Sequence, residues 1–154
     1  MTDLSRFFIQ RLQLKNYRCF SELDLALHDR LTVLVAANGG GKTAILDVLA
    51  VAVHRFVDIM EGRRSYKGLE ARDIRLVPSP QNNMEPVTPV RLLASADFFG
   101  HQISWSRERR SQKAAGTSSY LTDPLRLAAR GLINDNHEYA EGKRSAPVFP
   151  LASY

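Results

Sequence analysis

The sequence predicts an α/β fold, and three observations carry that reading. Apolar and polar residues alternate from Phe7 to Leu27, as they do in strands that rest one face on a core. A β-branched run, Leu31-Thr32-Val33-Leu34-Val35, stops abruptly at Ala36-Ala37-Asn38-Gly39-Gly40-Gly41. An apolar series at helical spacing then begins behind Lys42.

Ile9, Leu12 and Leu14 belong to a first strand and Leu23, Leu25 and Leu27 to a second, with Asn16 to Ser21 as the turn or bulge between them. Leu31 to Val35 reads as a strand buried on both faces, because its apolar residues are nearly continuous. Three successive glycines end it, since they offer no side chain to pack and take positive φ freely. Ile45, Leu46, Val48, Leu49, Ala52, Val53, Phe56 and Val57 predict a long helix from Lys42 to about Ile59. Its apolar residues cover most of its girth, which predicts a helix sandwiched between a sheet and another layer.

Met60 to Arg75 is basic and broken by glycine, and Val77 to Pro89 holds Pro78, Pro80, Pro86 and Pro89, so 61–89 is expected to be a long loop. Val90 to Phe99 and Gln102 to Arg109 flank Gly100-His101 and predict a hairpin that packs Phe99 and Trp105. Ser111 to Ser119 predicts a mobile loop. Asp123-Pro124 suits a helix start leading into Leu125, Leu127, Ala128 and Leu132, a second short helix covers Asn134 to Glu141, and Ala146 to Tyr154 opens a further strand.

A length of 154 residues suits one domain, and 44% hydrophobic with 24% charged residues excludes a disordered, collagen-like or disulfide-stapled chain. No apolar run approaches the roughly 20 residues that cross a bilayer, and Met1 to Arg6 lacks a secretory pattern, so a soluble cytoplasmic protein with no membrane partner is expected. Cys19 is the only cysteine, which leaves no intrachain disulfide and no cysteine-cluster zinc site. His28, His54, His101 and His137 lack metal-ligand spacing. Arginine and lysine number 21 against 16 acids, a net +5, so the expected partner is anionic: nucleotide or nucleic-acid phosphate.

The segment Ala36-Ala37-Asn38-Gly39-Gly40-Gly41-Lys42-Thr43 has the form of a phosphate-binding loop set between a strand and a helix. Composition alone would produce that pattern roughly 0.005 times in such a chain, so chance is a poor explanation. Backbone N–H groups of Gly39, Gly41, Lys42, Thr43 and Ala44 are expected to cradle an anion at the helix N-terminus. Lys42 is then expected to reach the β- and γ-phosphates as a mobile point charge, and the Thr43 hydroxyl to ligate Mg²⁺. Ala36 stands where glycine is usual, so that turn must form around a Cβ.

Asn38-Gly39-Gly40-Gly41-Lys42-Thr43, followed by Ile45-Leu46-Asp47 and Leu49, resembles the loop and helix of the RecF/SMC-type ATPases of the ABC class. Ile9 to Phe20 resembles that family's opening strand and its Asn-aromatic-Arg-x-Phe turn. In its Pro- and Arg-rich middle section the chain is also similar to the ATPases of anti-phage systems of the Septu and retron-associated kind. The resemblance implies a P-loop NTPase N-terminal lobe, incomplete, with an antiparallel β layer and a long apolar helix after the phosphate loop. It implies ATP and Mg²⁺ as cofactors, and a nucleotide site of Arg18, Asn38, Gly39, Gly40, Gly41, Lys42, Thr43 and Ala44. It further implies a homodimer closed through the nucleotide, a DNA or RNA partner, an effector nuclease subunit, and a role in DNA repair or phage defence.

The glutamine, the serine-glycine signature helix and the apolar strand ending Asp-Glu that such ATPases carry are not found in this sequence. Without a glutamate to orient water, the lobe is expected to bind nucleotide but not to hydrolyse it alone, as the front part of a longer ATPase. The expected organisation is one lobe over 1–154: strands, phosphate loop and helix at 1–60, a basic and Pro-rich loop at 61–89, a hairpin at 90–110, and a loop, short helices and a truncated strand at 111–154. The alternative is a non-catalytic nucleic-acid or partner-binding module with a regulatory or vestigial loop.

Arg18 stands either at the nucleotide, as the resemblance implies, or as an exposed turn residue. Asp47, one turn beyond Thr43, either holds a water on Mg²⁺ or bonds the loop. Arg63, Arg64, Lys67, Arg72 and Arg75, and after Trp105 the trio Arg107, Arg109 and Arg110, are either a nucleic-acid surface or solvated charge.

Overall fold

A computed structural model describes residues 7–60, 68–98, 100–114, 116–120, 127, 130 and 131. Five strands form one antiparallel sheet: β1 (Phe7–Tyr17), β2 (Phe20–Ala26), β5 (Val90–Phe98), β6 (His101–Arg109) and β7 (Ser118–Tyr120), in the order β2-β1-β5-β6-β7. Helix α1 (Lys42–Met60) lies on it, and β3 (Arg75–Pro78) with β4 (Met84–Val87) forms a separate ribbon. The strands at 7–26 and the hairpin strands at 90–98 and 101–109 stand where alternation places them, while Phe99 lies outside the described residues. Leu14 faces Leu23 across β1–β2, and Ala94 faces Trp105 across β5–β6.

Period-two alternation puts Leu12 and Leu14 of β1, Leu92, Ala94 and Ala96 of β5, and Ile103 and Trp105 of β6 into one core. Helix α1 adds Ile45, Val48, Val51, Ala52 and Phe56. Phe7, Phe56 and Phe98 meet in a ring cluster, Phe7 stacked on Phe56 at 5.1 Å and both edge-on to Phe98 at 5.7 and 5.6 Å. Such a cluster fixes the far end of α1 against the sheet, while Trp105 Nε1 donates to the Ala52 carbonyl at 3.0 Å and holds its middle.

Four expectations need correction. Leu31 to Val35 forms no strand: no described strand pairs with it, and Leu31, Val33 and Val35 are 73%, 70% and 88% exposed. Strand propensity is present there, but a ladder needs a neighbour. The long helix with apolar contact over most of its girth is not found either. α1 buries one face only, and Leu46 and Val57 lie open on the other. The 61–89 loop is not irregular throughout, since Ala71–Asp73 is a 3₁₀ turn and β3 pairs with β4. Pro78 and Pro86 are compatible with that ribbon because a strand with a free edge does not require every N–H.

Finally, Ser118 and Ser119 of the predicted mobile loop pair with Glu108 and Arg107. Leu127, Arg130 and Gly131 are helical, within the helix expected after Pro124. The remainder of that helix, the helix over Asn134 to Glu141, the strand from Ala146, and Arg63, Arg64 and Lys67 lie outside the described residues.

Candidate phosphate-binding site

Every residue named for the nucleotide site comes to one place. Arg18, Asn38, Gly39, Gly40, Gly41, Lys42, Thr43 and Ala44, joined by Cys19, line an open hollow of about 350 Å³ at the start of α1. The loop is built by two glycines with positive φ, +80° at Gly39 and +87° at Gly41. Between them Gly40 N–H donates to the Ala37 carbonyl at 3.0 Å. A Cβ on Gly40 would sit 2.8 Å from the Ala36 methyl, so this glycine makes room for the alanine at the loop's first position. A Cβ on Gly41 would meet the Phe20 ring at 2.5 Å and Cys19 Sγ at 2.8 Å, so the turn between β1 and β2 forms a wall of the hollow.

The first helical bond of α1 runs from Ile45 N–H to the Gly41 carbonyl at 3.0 Å. The N–H groups of Lys42, Thr43 and Ala44 precede it and have no acceptor within the helix. No acidic side chain stands in the first turn. The helix N-terminus therefore keeps its positive partial charge uncompensated beside the hollow. Lys42 folds over the loop, with Nζ donating to the Ala36 carbonyl at 2.5 Å and the Ala37 carbonyl at 3.0 Å. Both acceptors are neutral carbonyls, which an anionic phosphate group can replace as partners of the ammonium.

The opposite wall is Arg18, at the turn between β1 and β2, where its φ of +46° is unusual for a residue with a Cβ. Its backbone N–H donates to the Asp73 carbonyl at 2.9 Å. The side chain bonds Asp73 Oδ1 through Nε at 2.9 Å and Nη2 at 2.8 Å, and Asp47 Oδ2 through Nη1 at 2.5 Å. The guanidinium also lies 5.2 Å from the centre of the Tyr17 ring. Asp47 thus bonds Arg18 and not the loop. Asp73 was not foreseen, for it lies in a stretch that reads as loop and nothing in its neighbourhood marks it.

Of the arginines considered for nucleic acid, Arg107 and Arg109 are buried, at 3% and 8% exposure. Arg107 donates to the Val51 carbonyl at 2.9 Å, and Arg109 to those of Leu69, Gln112 and Ala114 at 3.2, 3.0 and 2.8 Å. They tie strand β6 to its surroundings and are not a surface. Arg75 is also engaged, donating to the Cys19 carbonyl at 2.6 Å behind the same turn, and Arg72 pairs with Glu70. Among the described residues no cluster of three or more His, Cys, Asp or Glu could hold a metal ion, and no helix is long and apolar enough to cross a membrane.

A family model described as an AAA domain matches residues 11–154, nearly the whole chain. The chain belongs to this AAA-domain family. Curated relatives include proteins named "DNA replication and repair protein RecF" from Bacillus cytotoxicus, Bacillus thuringiensis and Bacillus cereus. Each is 39% identical over 44 residues, which is 29% of this chain. The matched segment spans 12% of each relative's length. Family and relatives together support the RecF/SMC-like P-loop ATPase resemblance, at the level of an ATPase family.

Proposed function

We propose that this chain binds ATP with Mg²⁺ in the loop from Ala36 to Ala44, as one ATP-binding lobe of a RecF/SMC-like ATPase. The observation that carries the reading is the hollow itself. A glycine-shaped loop, an uncapped helix N-terminus, Lys42 and Arg18 surround an open space, and Gly41 lets the loop pack against Phe20 and Cys19 at its edge. Those groups suit a polyphosphate: amides and the helix end neutralise charge along the tail, and Lys42 exchanges two carbonyls for phosphate oxygens. Thr43 Oγ1, in the first turn of α1, is the hydroxyl that would hold the Mg²⁺. The bound metal supplies charge neutralisation to the phosphates.

Hydrolysis needs a base for the attacking water. Neither Asp47 nor Asp73, the two carboxylates that Arg18 engages, lines the hollow at the loop, so neither is placed to act as one. The base is therefore assigned to groups outside this site, supplied by a further lobe or a second copy closing over the nucleotide. A role in DNA repair is supported by the relatives' name, and one in phage defence with an effector nuclease by the sequence resemblance alone. Burial of Arg107 and Arg109 leaves DNA or RNA contact to other cations.

Titration with a fluorescent ATP analogue tests the reading. Lys42→Ala should weaken binding at least about tenfold, the scale of a lost charge-assisted contact to phosphate. An unchanged dissociation constant would refute it.

A further inference from the structure

Arg18 is held by two carboxylates of opposite character. Asp73 is 4% exposed, receives both Nε and Nη2, and is itself fixed by accepting the Glu70 N–H at 2.8 Å through Oδ2. Asp47 is 47% exposed, sits on α1 one turn after Thr43, and takes only Nη1. Arg18 lines both the hollow at the loop and a second hollow of about 400 Å³ bounded by Tyr17, Asp47, Glu70 and Asp73. It forms part of the wall of both.

From this asymmetry we propose that Asp47 is a releasable counter-ion that competes with phosphate for Arg18 and so sets the affinity of the nucleotide site, while Asp73 is a fixed tether. The inference rests on the ATP reading above and deepens it. With the loop empty, Nη1 stays on Asp47. When a polyphosphate enters, its greater charge draws Nη1 across, and the Nε and Nη2 bonds to Asp73 keep the guanidinium plane in register through the exchange. An ion pair this exposed is weak enough to be broken by a ligand, whereas its buried companion is costly to break. Asp47 is thus a positioning residue that raises the threshold for binding. Arg18 is the group through which it acts.

Five variants in the ATP-analogue titration, Lys42→Ala among them, separate the possibilities, each run with Mg²⁺ and again with a chelator. Asp47→Asn should tighten binding about two- to fivefold, the size of an exposed ion pair, in both buffers. Arg18→Ala should weaken binding, and Arg18→Ala with Asp47→Asn should bind as Arg18→Ala does, with no tightening left. Asp47→Ala repeats the measurement if the asparagine variant melts early. Tightening of the same size in the Arg18→Ala background would mean general charge removal and would overturn the proposal. Unchanged or weaker binding by Asp47→Asn, with Lys42→Ala still weakening it at least about tenfold, would also overturn the proposal and leave the ATP reading intact. Indifference to Lys42→Ala would instead remove the ATP reading.

Discussion

Trp105 and Ala52 are joined by a hydrogen bond from the indole N–H to a helix carbonyl, with neither residue exposed to solvent at all. Trp105 is the only tryptophan in the chain, so its fluorescence reports the contact between β6 and α1. Emission should be blue-shifted and resist iodide until unfolding. Trp105→Phe keeps an aromatic ring but loses the bond and part of the volume, and should lower stability by about 1–3 kcal/mol in urea titrations.

Gly39 and Gly41 have the same backbone conformation but different surroundings. Gly39→Ala meets nothing within 4 Å and carries only the left-handed penalty, about 1 kcal/mol. Gly41→Ala adds a collision with Phe20 and Cys19, for a total of about 2–4 kcal/mol. Urea denaturation should rank them so, and only Gly41→Ala should greatly impair ATP-analogue binding.

Hydrogen bonds from Arg11, then Gln13, hold the Asp24 carboxyl near a pKa of about 2, below the ordinary 3.8. A carboxylate lowered on folding stabilises the fold above its unfolded value, and that contribution fades as pH falls from about 4 to about 2. Carboxyl chemical shifts through an acid titration should show the low midpoint. Arg11→Ala should return it toward the ordinary value.

Burial, and after it the nearby Asp73 charge, pushes the Tyr17 phenol well above the usual tyrosine range. Its contribution to stability is complete below the unfolded pKa near 10 and declines as pH climbs toward the folded value. Phenolate absorbance should therefore show one of the five tyrosines silent in mild alkali, appearing only as the protein unfolds.

Alternation made β1, β2, β5 and β6 legible, because each buries one face and turns at polar or glycine residues. The loop before α1 was legible for a different reason: its glycines, lysine and threonine form a compact local pattern, although the packing of Gly40 on Ala36 and of Gly41 on Phe20 and Cys19 could not be read from it. Leu31 to Val35 misled because a run of β-branched residues states a preference for pairing without naming a neighbour. Arg107 and Arg109 follow Ile103 and Trp105 at period two, and that spacing was the available sign that they point inward. The Arg18–Asp47–Asp73 arrangement left no such sign, since three elements distant in sequence supply it.

The inward guanidiniums of β6 also change what a titration-based charge means for this protein. An isoelectric point weighs all cations alike, yet Arg107 and Arg109 donate to main-chain carbonyls in the interior and, though still charged, offer no direct contact to the phosphates of a passing polyanion. Retention on a phosphate-bearing resin should accordingly fall short of what 21 fully solvated basic side chains would give.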